Sequence, residues 1–322
     1  MSAALQIPQA TAGARILAFG DYRPARVVTN DELAGMVDTN DEWIRSRVGI
    51  SERRIAGEDE GVVELGVHAG GKALANSGLA PSDIDLVILA TCSAESPMPC
   101  NATIVAHRLG IDAPGAFDLN AACAGFCYAL ATASAAVRAG SARNVLVIGS
   151  EKMSQWVDWT DRSTCIIFAD GAGAAVVTGS DSPGIGPVVW GSAGDKADKI
   201  IIDDRHSFIR QEGQAVFRWA TTAIAPVALQ ACERAGIKPE DLAAVVPHQA
   251  NLRIIEAIAR KMKATNAIVA DDIVHSGNTS GASIPLALSR MIERGDVPSG
   301  APALLVGFGA GLSYAAQVIQ IP

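Results

Sequence analysis

The chain has 322 residues, 49% of them hydrophobic and 19% charged, enough apolar material for one large domain or two fused ones. Acidic residues number 34 against 26 basic ones, a net charge of −8, and no basic block stands out, so no nucleic-acid partner is expected. Apolar runs such as 144–150 and 301–306 are far shorter than the ~20 residues of a membrane helix, which excludes a membrane anchor of that kind.

The N-terminal stretch Met1–Ala14 carries no positive charge ahead of an apolar segment, so it does not read as a secretion signal and a cytoplasmic location is expected. Residues 21–60 are rich in charge, contain Trp43, and read as a surface segment built over the core. Gly78 ends a helix, a Pro-Asp turn follows, and Leu86–Ala90 is a continuous apolar strand. Phe117-Asp-Leu then turns, through Ala121, Ala122, Ala124 and Gly125, into a small-residue helix that starts at Cys123 and stops at Gly140. A thiol at a helix start feels the positive end of the macrodipole, so Cys123 is expected to have a lowered pKa and to act as a nucleophile. The competing reading is a buried structural cysteine, which is the expectation for Cys92, Cys100, Cys127, Cys165 and Cys232. The strand Val145–Gly149 follows, then Gly171-Ala-Gly173 and a last strand, Ala174–Thr178.

Residues 183–213 are polar and Gly-rich, and beyond them the pattern begins again. Gly236 lies 158 positions after Gly78 and opens the same helix-end, Pro-Asp turn and strand, which terminates at His248. Asn278 begins a second small-residue helix that stops at Gly295, matching Cys123 and Gly140 at an offset of 155. The strand Leu304–Gly307, the Gly-Ala-Gly at 309–311 and the strand Tyr314–Ile319 complete the second copy. A duplicated α/β protein with mixed sheets covered on both faces is therefore expected. Its halves are 1–182, with the excursion 21–60, and 214–322, joined by a connecting or lid segment at 183–213. In such a pair Ala90 is equivalent to His248 and Cys123 to Asn278, so a thiol faces an imidazole and an amide.

His248 stands at a strand end followed by the polar Gln249 and Asn251, a setting that suits a cavity wall as well as a packed core. Asn278 could equally be a helix N-cap, and His275 is an alternative base. Gly307–Gly311 leads into a strand and Gly171–Val176 lacks the third glycine of a dinucleotide site, so Gly307–Gly311 reads better as a close-approach loop whose N–H groups hold an oxyanion. No CxxC pair or nearby His completes a zinc set, so no metal is expected.

With Cys123, His248 and Asn278 in these contexts, the sequence resembles the β-ketoacyl-acyl-carrier-protein synthases III, thiolase-fold condensing enzymes, over essentially its whole length. The residues that carry the resemblance are Thr39–Ile50, Ala121–Phe126, Pro247–Arg253 and Gly277–Ser280. It implies a thiolase-like duplicated five-layer αβαβα fold and a homodimer. It implies a ping-pong reaction in which acyl-CoA acylates Cys123 and malonyl-acyl-carrier protein is then decarboxylated and condensed, without a cofactor. His248 and Asn278 stabilise the carbanion, and the N–H groups of Cys123 and Ala310 form the oxyanion hole. Trp43 and Arg162 are implied to sandwich the CoA adenine and Arg47 to meet a phosphate. Gln249, Ala250, Asn251, Leu252 and Arg253 are implied to dock the carrier protein. Phe308 and, from a neighbouring subunit, Met98 are implied to shape the acyl pocket. A polyketide-priming synthase or a decarboxylation-free acyltransferase of the same fold is the alternative. Between Trp190 and Phe217 the chain is shorter than in many relatives, and substrate contacts in 200–214 stay open.

Overall fold

The computed structural model describes residues 11–322; residues 1–10 of the N-terminal stretch discussed above lie outside them. In chain order the first half contains β1 (Gly13–Tyr22), α1 (Asp41–Val48), α2 (Val62–Ser77), β2 (Leu86–Ala90), α3 (Asn101–Arg108), β3 (Gly115–Leu119), α4 (Gly125–Arg138), β4 (Asn144–Lys152) and β5 (Asp170–Ser180). The second contains β6 (Val189–Ser192), α5 (Gly213–Ala235), β7 (Ala244–Pro247), α6 (Leu252–Met262), β8 (Ile268–Val269), α7 (Ser283–Glu293), β9 (Pro302–Gly309) and β10 (Ser313–Gln320). The sheets run β1-β5-β4-β2-β3 and β6-β10-β9-β7-β8, an identical order with strand numbers raised by five. In both, the inner pairs β4/β2 and β9/β7 are parallel and β5/β4 and β10/β9 antiparallel.

Alternation along each strand builds the layers. Ile88, Ala90, Val145 and Val147 of one sheet and Ala244, Val246, Ala303 and Leu305 of the other point inward, onto α4 and α7. Val87, Leu89, Leu146 and Ile148 point the opposite way onto α2 and α3, and Val245, Leu304 and Val306 onto α5 and α6. Helix, sheet, helix pair, sheet, helix: the five layers expected from the duplication are present.

The internal equivalence needs one correction. Ala122 (φ 47°) and Ser280 (φ 48°) are both left-handed and both lead into a single 3₁₀ turn, 122–124 and 280–282, ahead of the central helix. Asn120 Oδ1 accepts from Ala122 N at 3.0 Å, and Asn278 Oδ1 accepts from Ser280 N at 2.8 Å. The register here is therefore 158, not 155. Asn278 corresponds to Asn120, and Cys123 to Gly281. The helix-end glycines misled the sequence comparison because α7 is three residues shorter, 11 against 14. The same symmetry explains two glycines. A Cβ on Gly307 would lie 2.9 Å from Ala124 Cα, and one on Gly149 3.1 Å from Ala282 Cα, so each central strand touches the start of the other half's central helix.

The excursion at 21–60 forms a short antiparallel pair, Arg26–Thr29 with Glu52–Ile55, and carries α1. The segment 183–213 is more than a connection. It supplies β6, the edge strand paired with β10, and a small ladder, Ile200–Ile201 with Arg210–Gln211. Among the described residues no helix is long and apolar enough to cross a membrane.

Candidate active site

A cavity of about 670 Å³ opens where the two halves meet, and Cys123, His248, Asn278, Phe308, Gly309 and Ala310 all line it. The duplication places them. Cys123 lies in the turn before α4, His248 follows β7, Asn278 precedes α7, and Gly309 ends β9.

The sulfur of Cys123 sits beside the backbone N–H groups of Cys123 and Ala310 and beside the Ser280 hydroxyl, 3.5 Å away. These are the two N–H groups expected to form an oxyanion hole. The expected lowering of the thiol pKa is not found. Burial pushes it up to about 11, outweighing the pull of Ser280 and the two N–H groups. Two facts account for the reversal: the sulfur is desolvated, and α4 itself begins only at Gly125, so Cys123 stands in the 3₁₀ turn before the dipole's end.

His248 is 2% exposed, with the edge of the Phe308 ring against it at 5.3 Å between centroids. Its Nδ1 lies 2.7 Å from Ser283 Oγ, and that oxygen also accepts from Gln249 N at 3.2 Å. A serine oxygen has two lone pairs, so the Gln249 N–H does not fix the sense of the Nδ1 bond; when the hydroxyl donates to Nδ1, the imidazole proton is on Nε2. Burial lowers the His248 pKa to about 3, so the ring is neutral at physiological pH. Asn278 spends its Oδ1 on Ser280 N, which leaves its amide N–H₂ free. Its backbone is tied to the first half: Asn278 N donates to Ile167 O at 3.0 Å and Ala169 N donates to Asn278 O at 2.9 Å. A neutral imidazole and a free amide thus face one cavity.

The residues implied for CoA are arranged differently from expectation. The Arg162 guanidinium lies 4.7 Å from the Trp43 ring centroid and Arg47 5.5 Å from it, so Trp43 and Arg162 stack on each other with no gap for a base. Arg162 must swing away for the sandwich to form. Arg47 lines the cavity, together with Arg218 and Arg253.

Of the carrier-docking set, Gln249 is 1% exposed and cannot face a partner. Its amide donates to Pro247 O at 2.7 Å and accepts from Ile273 N at 3.0 Å, which braces the segment behind His248. Asn251 caps α6 and donates to Arg47 O at 3.1 Å, while half-buried Leu252 packs against the excursion. Ala250 lines the cavity. Arg253 is exposed, with its guanidinium 5.2 Å from the Phe217 ring. Met98 is 80% exposed and does not line the cavity of its own chain, whereas Phe308 does. His275 is exposed and outside the cavity.

Two contributions escaped the sequence reading. Ile200, Ile201, Ile202 and Ile209 line the cavity, so the 200–214 segment forms part of its wall. The signal was present as an apolar Ile-Ile-Ile run inside a polar segment. Cys92 is also in the wall rather than an inert core thiol. Among the described residues no group of three or more His, Cys, Asp or Glu side chains comes together to hold a metal ion.

Comparison with known proteins identifies the family. The family model of 3-oxoacyl-[acyl-carrier-protein] synthase III matches residues 117–194, and that of its C-terminal domain matches 232–321. β-Ketoacyl-[acyl-carrier-protein] synthase III 4 of Streptomyces coelicolor is 60% identical over 313 residues, covering 96% of this chain and 99% of its own. The mycobacterial β-ketoacyl-[acyl-carrier-protein] synthase III of Mycobacterium avium is 48% identical, with 95% of each chain covered. Among solved structures, the priming β-ketosynthase from the R1128 polyketide biosynthetic pathway superposes with a TM-score of 0.95 at 44% identity, covering 99% of this chain and 98% of that one. The 3-oxoacyl-[acyl-carrier-protein] synthase III of Aquifex aeolicus superposes at 0.91 with 41% identity, covering 96% and 100%. This chain therefore belongs to the 3-oxoacyl-acyl-carrier-protein synthase III family and is a condensing acyltransferase of the five-layer fold.

Proposed function

We propose that the protein performs the initiating condensation of fatty acid biosynthesis, joining an acyl-CoA starter to malonyl-acyl-carrier protein through an acyl-Cys123 thioester. The observation that supports this best is the convergence of one thiol, the neutral His248 imidazole and the free Asn278 amide in a single cavity. In the first half-reaction the Cys123 sulfur attacks the acyl-CoA carbonyl, and the N–H groups of Cys123 and Ala310 receive the oxyanion. In the second, loss of CO₂ from the malonyl group builds negative charge on its thioester oxygen. Two uncharged donors aimed at that oxygen stabilise the enolate, and the carbanion then attacks the Cys123 thioester. Nothing in this sequence calls for a metal or organic cofactor. CoA enters past Arg47, with Trp43 and Arg162 parting around the adenine, and exposed Arg253 meets the acidic carrier protein.

The test is the mass of the intact protein after exposure to a panel of acyl-CoAs. One acyl group per chain is expected, absent in Cys123→Ser and retained in Cys127→Ser. Labelling at Cys127 or Cys165 would overturn the assignment. A second reading, priming of a polyketide synthase with a dedicated carrier protein, draws support from the likeness to the R1128 priming ketosynthase. Condensation rates with carrier proteins of the two classes distinguish them.

The protein acts as a homodimer in this proposal. β3 is an edge strand carrying Phe117, 37% exposed, and beside it are Ile104, 37% exposed, and Met98, 80% exposed. A second copy covering this face places Met98 at the end of the partner's acyl pocket. Methionine is unbranched and yields to extra methylenes, each contributing about 0.8 kcal/mol when buried. Four- and five-carbon or branched acyl-CoAs are expected to be used at least as well as acetyl-CoA, with Met98→Phe shifting kcat/KM back toward acetyl. A strict acetyl preference unchanged by Met98→Phe, or a monomer at micromolar concentration in sedimentation, counts against it.

A further inference from the structure

Glu151, at the end of β4, is a carboxylate with 0% exposure. Among the described residues no Lys or Arg pairs with it; it is held by Thr91 Oγ1 at 3.0 Å, Cys92 N at 3.1 Å, Ser93 Oγ at 2.5 Å and Gly281 N at 3.2 Å. A buried charge without a cation is costly to keep, and packing alone gives no reason for it. Its remaining partner leads toward the nucleophile. Cys92 Sγ donates to Glu151 Oε1 at 3.3 Å and lies 3.2 Å from Ser280 Oγ, which donates to Cys123 Sγ at 3.5 Å. Four side chains from both halves form one unbroken hydrogen-bonded line from carboxylate to nucleophile.

The site described above lacks a base for the Cys123 proton. His248 has its Nδ1 engaged by Ser283 and is a very weak base, and the thiol is not acidified by its position. We propose that Ser280, Cys92 and Glu151 form the proton relay that activates Cys123 for acylation. As the Cys123 S–C bond forms, the Ser280 hydroxyl turns from Cys123 Sγ toward Cys92 Sγ and its oxygen takes the thiol proton. The serine proton passes to Cys92 Sγ, and the Cys92 proton to Glu151, which becomes a neutral acid. The C–S bond of the acyl-CoA breaks, and the departing CoA thiolate takes its proton from solvent. When condensation later releases Cys123 as a thiolate, the relay runs backward and restores the Glu151 carboxylate. Ser280 is the catalytic member, because it touches the reacting sulfur; Cys92 and Glu151 act through it.

The other titratable side chain lining this end of the cavity is His248, on the segment after β7, while Cys127 on α4 lies against Gly307 of β9. Arg47 on α1, Arg218 on α5 and Arg253 on α6 also line the cavity, while Lys152, next to Glu151, turns away to Gly57 O at 2.7 Å.

The inference rests on Cys123 being the acylated residue. The experiment is the pre-steady-state rate of Cys123 acylation by acetyl-CoA between about pH 5 and 9. The proteins compared are the parent, Glu151→Gln, Ser280→Ala, Cys92→Ala and Cys92→Ser. A loss of about 10²-fold, with a flattened pH profile, is expected for the first three variants, the scale of general acid–base contributions. Cys92→Ser keeps a proton-passing group and is expected to stay within about fivefold of the parent. A merely structural Cys92 would make Ser and Ala equivalent. Folding is controlled in the same samples by far-ultraviolet circular dichroism and gel filtration, in which each variant should match the parent. Should Glu151→Gln fail to fold, Ser280→Ala, which removes one hydroxyl and no charge, carries the test. Parent-like acylation in Glu151→Gln or Ser280→Ala overturns the relay alone. An acyl label that survives Cys123→Ser overturns the nucleophile assignment with it.

Discussion

Asn278→Ala will still accept an acyl group from acyl-CoA onto Cys123, yet will lose decarboxylative condensation by about 10²–10³-fold, the usual cost of one oxyanion-type donor. The amide N–H₂ of Asn278 is its one uncommitted end, since Oδ1 is bound to Ser280 N at 2.8 Å. Removing the side chain therefore removes half of the donor pair at the malonyl oxygen and leaves His248 with the other half. It also frees Ser280 N, and Ser280 touches the sulfur, so a second variant is needed to separate the two effects. Asn278→Asp keeps an oxygen for Ser280 N and presents no N–H to the substrate. Both variants are expected to lose condensation, and Asn278→Asp is expected to acylate like the parent. The measurements are the acylation burst with acyl-CoA and ¹⁴CO₂ release from a malonyl thioester. Undiminished CO₂ release in either variant would remove Asn278 from the decarboxylation step.

Gly309→Ala is expected to suppress acylation more than 10²-fold while leaving a folded protein, a magnitude in keeping with the rate cost of a displaced reacting group. The reason is space, not backbone conformation: Gly309 has φ 177°, an extended value open to any residue. A Cβ there would lie 2.6 Å from Cys123 Cβ, 2.9 Å from its Sγ and 3.1 Å from its N. These are far inside contact distance, and the neighbour is the nucleophile's own backbone, which cannot move without displacing both the sulfur and its oxyanion N–H. Overpacking of this kind costs about 1–3 kcal/mol of stability. Gly295→Ala is the control. Its φ of 71° makes alanine unfavourable by about 1–2 kcal/mol, but nothing lies within 4 Å of the new methyl group. A lower Tm with full activity is expected for Gly295→Ala, and a modestly lower Tm with almost no acylation for Gly309→Ala. Equal acylation in the two variants would show that the strand end does not press on the sulfur.

By itself the sequence determined the layers and which three side chains would share the cavity. Apolar strands read at period two, helices ended by Gly78, Gly140, Gly236 and Gly295, and a repeat of near-constant offset are local signals, written in consecutive residues. Cys123, His248 and Asn278 were legible because each stands at the end of such an element, where the duplication brings two ends together. What the tertiary structure alone decided is everything that depends on distance between elements. The helix-start argument for an acidic thiol was a local one, and desolvation by the opposing half reversed it. Gln249 looked exposed in its polar run, yet it closes a hydrogen-bond circuit with Pro247 and Ile273 in the interior. The offset of 155 came from helix ends, and only the matched left-handed residues Ala122 and Ser280 showed that Asn120, not Cys123, is the partner of Asn278. Glu151 and Cys92 carried no sequence signal at all. A carboxylate and a thiol 59 residues apart become neighbours of the nucleophile only because two sheets and the turn at 280–282 meet at one point. Such a meeting is a property of packing, and packing is not written in any one stretch of the chain.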